Sequence, residues 1–382
     1  MRLQSSTISV SSIVLGALLA AALPIAAFAD EGVKPVHCDK GQTLANTLKT
    51  ARPGDTLVVS GTCNERVTII TDRITLDGQG SAVIDGGGSG PAEFAGVVTI
   101  DGARGVTIKR LAVQHGSAEG VLGLRGAAFT VQEVDVHDNA NAGISVGDGS
   151  TADVTDTTMR RNAAGMDVYT GSSAILRGAI AITQNSSGIE INGEAVVEIR
   201  KANVNVSDNA GVGVVVGSGQ LAIFGSPGTF GAGSTLNASR NGFAGVIVFA
   251  GSPLTVYPAA TVTASNNGVF GLLVVGSAYL ALPCEGCQIV MESNAIGIRV
   301  EQGAGVSFQG GQLTVKGNGV GLSADGAGTL NIQSVPATPS SITGNGLDVE
   351  LKFGTRATFN GVAIGTIVCD TTVLSRGTTV CP

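Results

Sequence analysis

One short phrase recurs along most of this chain: an asparagine, a spacer of small residues, a glycine, then apolar residues that alternate or run together. Examples are "HDNANAGISV" at 137–146, "RRNAAGMDV", "TQNSSGIEI", "SRNGFAGVIV" and "ESNAIGIRV". The phrase asparagines are Asn139, Asn162, Asn185, Asn209, Asn241, Asn267, Asn294, Asn318 and Asn345, spaced by 23, 23, 24, 32, 26, 27, 24 and 27 residues. A nearly fixed period with occasional insertions is the signature of a solenoid, whose repeats bury their apolar faces against one another. The segment after each glycine reads as a strand, and two more short strands fit between successive phrases, such as "AAFTVQE" and "VDVH". Helical spacing is confined to "GQTLANTLKTA" at 41–51, where Leu44, Leu48 and Ala51 share one face.

Three strands per period of 23 or more residues predict an all-β fold, a single-stranded right-handed parallel β-helix with a short N-terminal capping helix. Coils stacked at roughly 4.8 Å put equivalent side chains in columns. About twelve coils at that spacing give a rod on the order of 55 Å long. The phrase asparagines then form a ladder at one turn, amide to amide. Asn tolerates the left-handed conformation such a turn needs, and the glycine after it is expected to serve the next bend. The expected interior holds Val131, Val134, Val136, Ile144, Val146, Val154, Ile189, Ile191, Val197, Ile199, Ile298 and Val300.

Residues 1–29 read as a secretory signal peptide: Arg2, an apolar run from about Ile13 to Ala22, and "AFA" before Asp30. The run is too short for a membrane span, and no later stretch is long and apolar enough. Export to the periplasm or beyond the cell is therefore expected, with a cap over 30–55 and the β-helix over 56–382. Glycine, 57 of 382 residues, is about twice ordinary usage and lacks a collagen period. A net charge of −7 without a basic block argues against nucleic acid as a partner.

The stretch 41–88 carries a resemblance. "GQTLANTLKTARPGDTLVVSGTCNE" resembles the opening of pectin-lyase-like β-helix proteins, where a short helix caps the stack and a Pro-Gly-Asp turn, here Pro53, Gly54 and Asp55, starts the first strand. "ITLDGQG" and "AVIDGGG" match the next two strands. The resemblance implies the fold; the superfamily spans pectate and pectin lyases, polygalacturonases, alginate epimerases, adhesins and copper-centre maturation proteins. Its catalytic signatures are absent here. There is no Gly-His-Gly, no Trp, and no Arg-Pro-x-x-Arg; "DVHD" at 135–138 has Val136 where the epimerase motif has proline.

Six cysteines in an exported chain read as bridges. Cys38 and Cys63 flank the cap, Cys369 and Cys381 sit at the far end, and "CEGC" joins Cys284 to Cys287 as a loop disulfide, rather than as a redox dithiol or half a zinc site. Stapled ends suit a solenoid whose terminal coils expose strand edges.

Candidate chemistry is sparse. Alternation on the strand after each "GIxV" phrase points Asp153 and Thr155 outward in one coil, Ile175 and Arg177 in the next, Glu198 and Arg200 in the third. Asp153, Arg177, Glu198 and Arg200 form a charged cleft strip, suited to an acidic polysaccharide. Scarce aromatics count against sugar stacking, and 211–328 is expected to expose small and apolar residues without clustered acids. His115 and His137, 22 residues apart, could stack near Asp135 and Asp138 and bind a transition metal. The favoured reading is a non-catalytic surface for a polysaccharide or cell-envelope component, with no cofactor and oligomeric state open. The alternatives are a polysaccharide lyase, hydrolase or epimerase with an atypical site, calcium entering only for a lyase, or a metal-handling protein.

Overall fold

The nine phrase asparagines stand in one unbroken column. In the computed structural model, which describes residues 32–88, 95–225, 233–249, 251–283, 286–335, 337, 339–379 and 381, the backbone N–H and side-chain Nδ2 of Asn139 both donate to Asn162 Oδ1. The same paired donation repeats at every step to Asn345. The other Nδ2 hydrogen turns back to a carbonyl of the preceding coil, as from Asn162 to Val136 O. Every donation from one ladder asparagine to the next runs toward the C-terminal end, so the last rung needs a pure acceptor. Asp348 supplies it: Oδ1 takes both Asn345 donors at 3.0 and 2.9 Å, while Oδ2 takes the N–H and hydroxyl of Thr366. Burial pushes that carboxyl up, but these donations bring it below the usual range. At the other end Gly116 N–H donates to Asn139 Oδ1 at 2.8 Å, closing the column with a residue that has no side chain to extend it.

Around this column the chain is a right-handed parallel β-helix. The strands after the asparagines, such as Ala142–Val146 and Ala164–Val168, pair in one parallel sheet of 13 strands, against the roughly twelve coils expected, which spans about 60 Å. First and second strands of each coil, such as Thr151–Thr155 and Thr158–Arg160, make up the rest. In four coils they fuse into a single bent strand, for example Ser173–Thr183. The bend is made by left-handed backbone at Gln79 and Gly80, at Arg110, at Gly178 and at Lys201. All twelve expected interior residues are at most 2% exposed.

Two details of the ladder turn differ from expectation. The left-handed residue is the one before each ladder asparagine: Asp138, Arg161, Gln184, Asp208, Arg240, Asn266, Ser293, Gly317 and Gly344. The asparagine is selected for its amide, not for backbone tolerance. The glycine that follows is not at a positive-φ bend either. A Cβ on Gly297 would lie 2.6 Å from Gly321 O and 2.9 Å from Asn318 Nδ2, and Gly143 meets Gly165 O and Asn162 in the same way. Glycine is needed there because the neighbouring coil's backbone and ladder amide approach too closely for any side chain.

The segment expected as the cap, 30–55, itself contributes a strand to the stack. Val33–His37 pairs in parallel with Thr56–Ser60, so the stack already has a strand before the first full coil. Asp55 of the Pro-Gly-Asp turn holds that strand by accepting from Gly32 N–H and pairing with Lys34 at 2.7 Å. The helix expected over 41–51 is shorter, Leu44–Leu48, because both of its start signals fall late. Thr43 caps Asn46 N–H, and Glu65 reaches from the first coil to take the N–H groups of Leu44 and Ala45. Cys38–Cys63 and Cys369–Cys381 bridge the two ends as expected. The signal-peptide segment and Cys284 of the third expected bridge lie outside the described residues.

Candidate functional site

The register brings the expected strip together on the outer face of the first-strand sheet. Asp153, Ile175 and Glu198 are successive partners, and Thr155 is partnered by Arg177. Arg177 Nε donates to Asp153 Oδ2 at 2.9 Å, and Arg200 Nε donates to Glu198 Oε2 at 2.7 Å. Both carboxylates are thus occupied by their own arginines. Hydrogen bonding to Glu198 raises the already high Arg200 pKa further, so the guanidinium is a permanent cation.

The strip continues where sequence reasoning saw nothing. Arg200 is partnered by Phe224, and its guanidinium carbon lies 4.3 Å above the Phe224 ring. Phe224 stacks on Tyr257 with centroids 4.4 Å apart and planes 7° from parallel. The scarcity of aromatics was misleading, because two of the few are stacked in one outward column. Each such contact contributes roughly 0.5–1.5 kcal/mol. From Asp153 to Tyr257 the surface crosses four coil spacings, roughly 19 Å. It offers carboxylate acceptors, guanidinium donors and half-buried aromatic rings in line. That combination can hold a ribbon of polar rings with apolar faces.

The two histidines are not stacked in register, contrary to expectation. Gln114, not His115, is the register partner of His137, because one coil here is 23 residues and the histidines are 22 apart. His115 Nδ1 sits 2.9 Å from Asp85, and His137 Nδ1 sits 2.6 Å from Asp138, which also takes both arms of Arg161. Arg161, then burial and His137, set the Asp138 carboxyl, which is held far below the carboxylate range. Among the described residues the one group with metal-ligand spacing is Cys38, Cys63 and Glu65. Its cysteines are bridged and its carboxylate caps the helix, so it is structural.

The outer face of the third-strand sheet carries charges that the sequence reading passed over. Arg299 pairs with Glu301 at 3.1 Å and with Asp325, and it donates to Ser323; Lys352 pairs with Glu350 at 2.5 Å. This corrects the expectation that 211–328 lacks clustered acids. Further up the same face stand Glu119, Asp167 and Glu190. Two of them were visible as the charged letters of "MDV" and "IEI" in otherwise apolar phrases.

This ladder, these caps and these stacked parallel strands define a right-handed parallel β-helix repeat fold. The family model described as "Right handed beta helix region" matches residues 56–226. Pectate lyase Pel9A is similar in structure, with 13% identity, 89% of this chain and 78% of that chain covered, and a TM-score of 0.45. The A-module of mannuronan C-5 epimerase AlgE6 from Azotobacter vinelandii shares 15% identity over 91% of this chain and 89% of that chain, with a TM-score of 0.34. No curated protein matches the sequence.

Proposed function

We propose that this is an exported, non-catalytic β-helix protein whose first-strand sheet holds a polysaccharide or another sugar-bearing cell-envelope component. The observation that carries the reading is the Arg200–Phe224–Tyr257 stack flanked by the Asp153–Arg177 and Glu198–Arg200 pairs. Stacking on aromatic faces and guanidinium hydrogen bonds favour a sugar chain, while acids already bound to arginines are poor bases or nucleophiles. Two end disulfides suit an oxidising compartment, and no helix among the described residues is long and apolar enough to cross a membrane.

The test incubates the purified protein with pectate, alginate and glycosaminoglycan, with and without calcium. Unsaturated product and reducing ends are followed separately, and binding is followed on an array of glycans and cell-wall fractions. Binding without product is expected, weakened at least tenfold by Arg200→Ala or Phe224→Ala. Turnover abolished by Glu198→Gln or Arg177→Ala would replace this reading with an enzyme.

A further inference from the structure

The outer face of the third-strand sheet is apolar in the middle and charged on either side, and its two halves are complementary. Along the strand centres the outward column reads Glu190, Val215, Ile247, Leu273 and Arg299 over five successive coils. Counted from Ile247, an aliphatic side chain stands one coil away on each side, an acid two coils before and a cation two coils after. Two residues further along the strands, Gly217, Phe249 and Val275 follow one another, so a gap lies on one side of the central ring and a bulky group on the other. At the strand starts the order is Val212, Ala244 and Phe270, again with the larger side chain toward the C-terminal end. Phe249 is 38% exposed and Leu273 is half-buried, while Ile247 lies flush among its neighbours at 8%. A contiguous apolar surface with a charged rim marks an interaction site.

We propose that this face joins two copies of the chain, antiparallel, about a two-fold axis that passes at Ile247. An axis along the strand direction sets each outward column against itself and each coil before Ile247 against the matching coil after it. Val215 then meets Leu273 of the second copy, Gly217 meets Val275, and Glu190 meets Arg299, every contact occurring twice. The groups left over fit this pairing. Arg299 spends three of its five N–H donors on Glu301, Ser323 and Asp325, and Glu190 gives Oε1 to the Ser187 hydroxyl, leaving Oε2. Parallel copies would instead set Glu190 against Glu190 and Arg299 against Arg299, so charge selects the antiparallel arrangement. The area suffices. From Ser145 to Glu350 the face spans eight coil spacings, roughly 38 Å, and its strands are roughly 17 Å long, giving about 1,300 Å² over both copies. A stable interface needs more than about 1,000 Å². The first-strand sheet stays free, so the pairing is independent of what that sheet holds.

Sedimentation equilibrium of the intact protein at micromolar concentration should give twice the mass of one chain. Leu273→Lys, on the outer face, should give single chains with an unchanged circular dichroism spectrum. Glu190→Lys separates pairing from folding. Burial, then the neighbouring Glu190, push the Asp167 carboxyl up to about 6, so losing the Glu190 charge relieves the chain itself. The urea midpoint of diluted, single chains should therefore not fall, whereas a lysine set against Arg299 of the second copy should weaken the dimer roughly tenfold or more. Single chains at every concentration tested, or a dimer that either variant leaves intact, would overturn the inference.

Discussion

Substituting Asn209 by alanine tests the ladder at its centre. Asn209 Oδ1 accepts from the backbone N–H and Nδ2 of Asn185, and its Nδ2 donates to Ile182 O and Asn241 Oδ1, at 3.0 to 3.1 Å. Alanine removes all four. Asn185 Nδ2 keeps Met159 O, and Asn241 Oδ1 keeps the Asn209 N–H. The Asn185 N–H and the Ile182 carbonyl lose these partners in a turn whose asparagines are 2% exposed. At about 1–3 kcal/mol for each orphaned buried group, the expected loss is about 4 kcal/mol. Amide exchange at Asn185 should then accelerate by roughly 10³-fold, and urea unfolding followed by circular dichroism should shift accordingly. Asn209→Asp keeps the acceptor for Asn185 but turns a second acceptor toward Ile182 O and Asn241 Oδ1, so it should also destabilise, less so at acid pH. A loss below about 1 kcal/mol for alanine, or a neutral-pH aspartate variant as stable as wild type, would refute the reasoning that the column is held by amides.

Gly297→Ala should cost about 3 kcal/mol, because its Cβ meets backbone oxygen, whereas Gly126→Ala, in open space at φ 72°, should cost about 1 kcal/mol; denaturant midpoints rank the two. Asp167 favours its protonated form in the fold, so its contribution is fully present at low pH and is lost as pH rises from about 4 through about 6. Asp167→Asn should leave Tm unchanged at pH 4 and raise it at pH 8; equal effects at both would refute the assignment. Reducing Cys38–Cys63 and Cys369–Cys381 should speed amide exchange at the two ends and leave the coils around Val146 and Ile191 protected.

The spacing of nine asparagines carried the fold, because a column repeats in sequence whatever its neighbours do. Interior positions such as Ile144 and Val197 were legible for the same reason: period-two alternation assigns each strand's inside face. The ladder's own backbone was not, since a left-handed residue can be Asp, Arg, Gln or Ser when the next coil fixes it. The site was legible only in part. Asp153, Arg177, Glu198 and Arg200 fell on one face, but Phe224 and Tyr257 joined them across an irregular 32-residue repeat that hid their register. His115 and His137 failed by a single residue of phase, which in a β-solenoid moves a side chain from one column to the next.

The surface claimed for sugar binding can be read directly by hydroxyl-radical footprinting, with and without a glycan retained on the array. Phe224 and Tyr257 should lose reactivity on binding, while Phe249 and Phe353, exposed elsewhere at 38% and 66%, should stay unchanged. Protection of Phe249 with Phe224 and Tyr257 unaltered would contradict the account and move the binding face to another sheet.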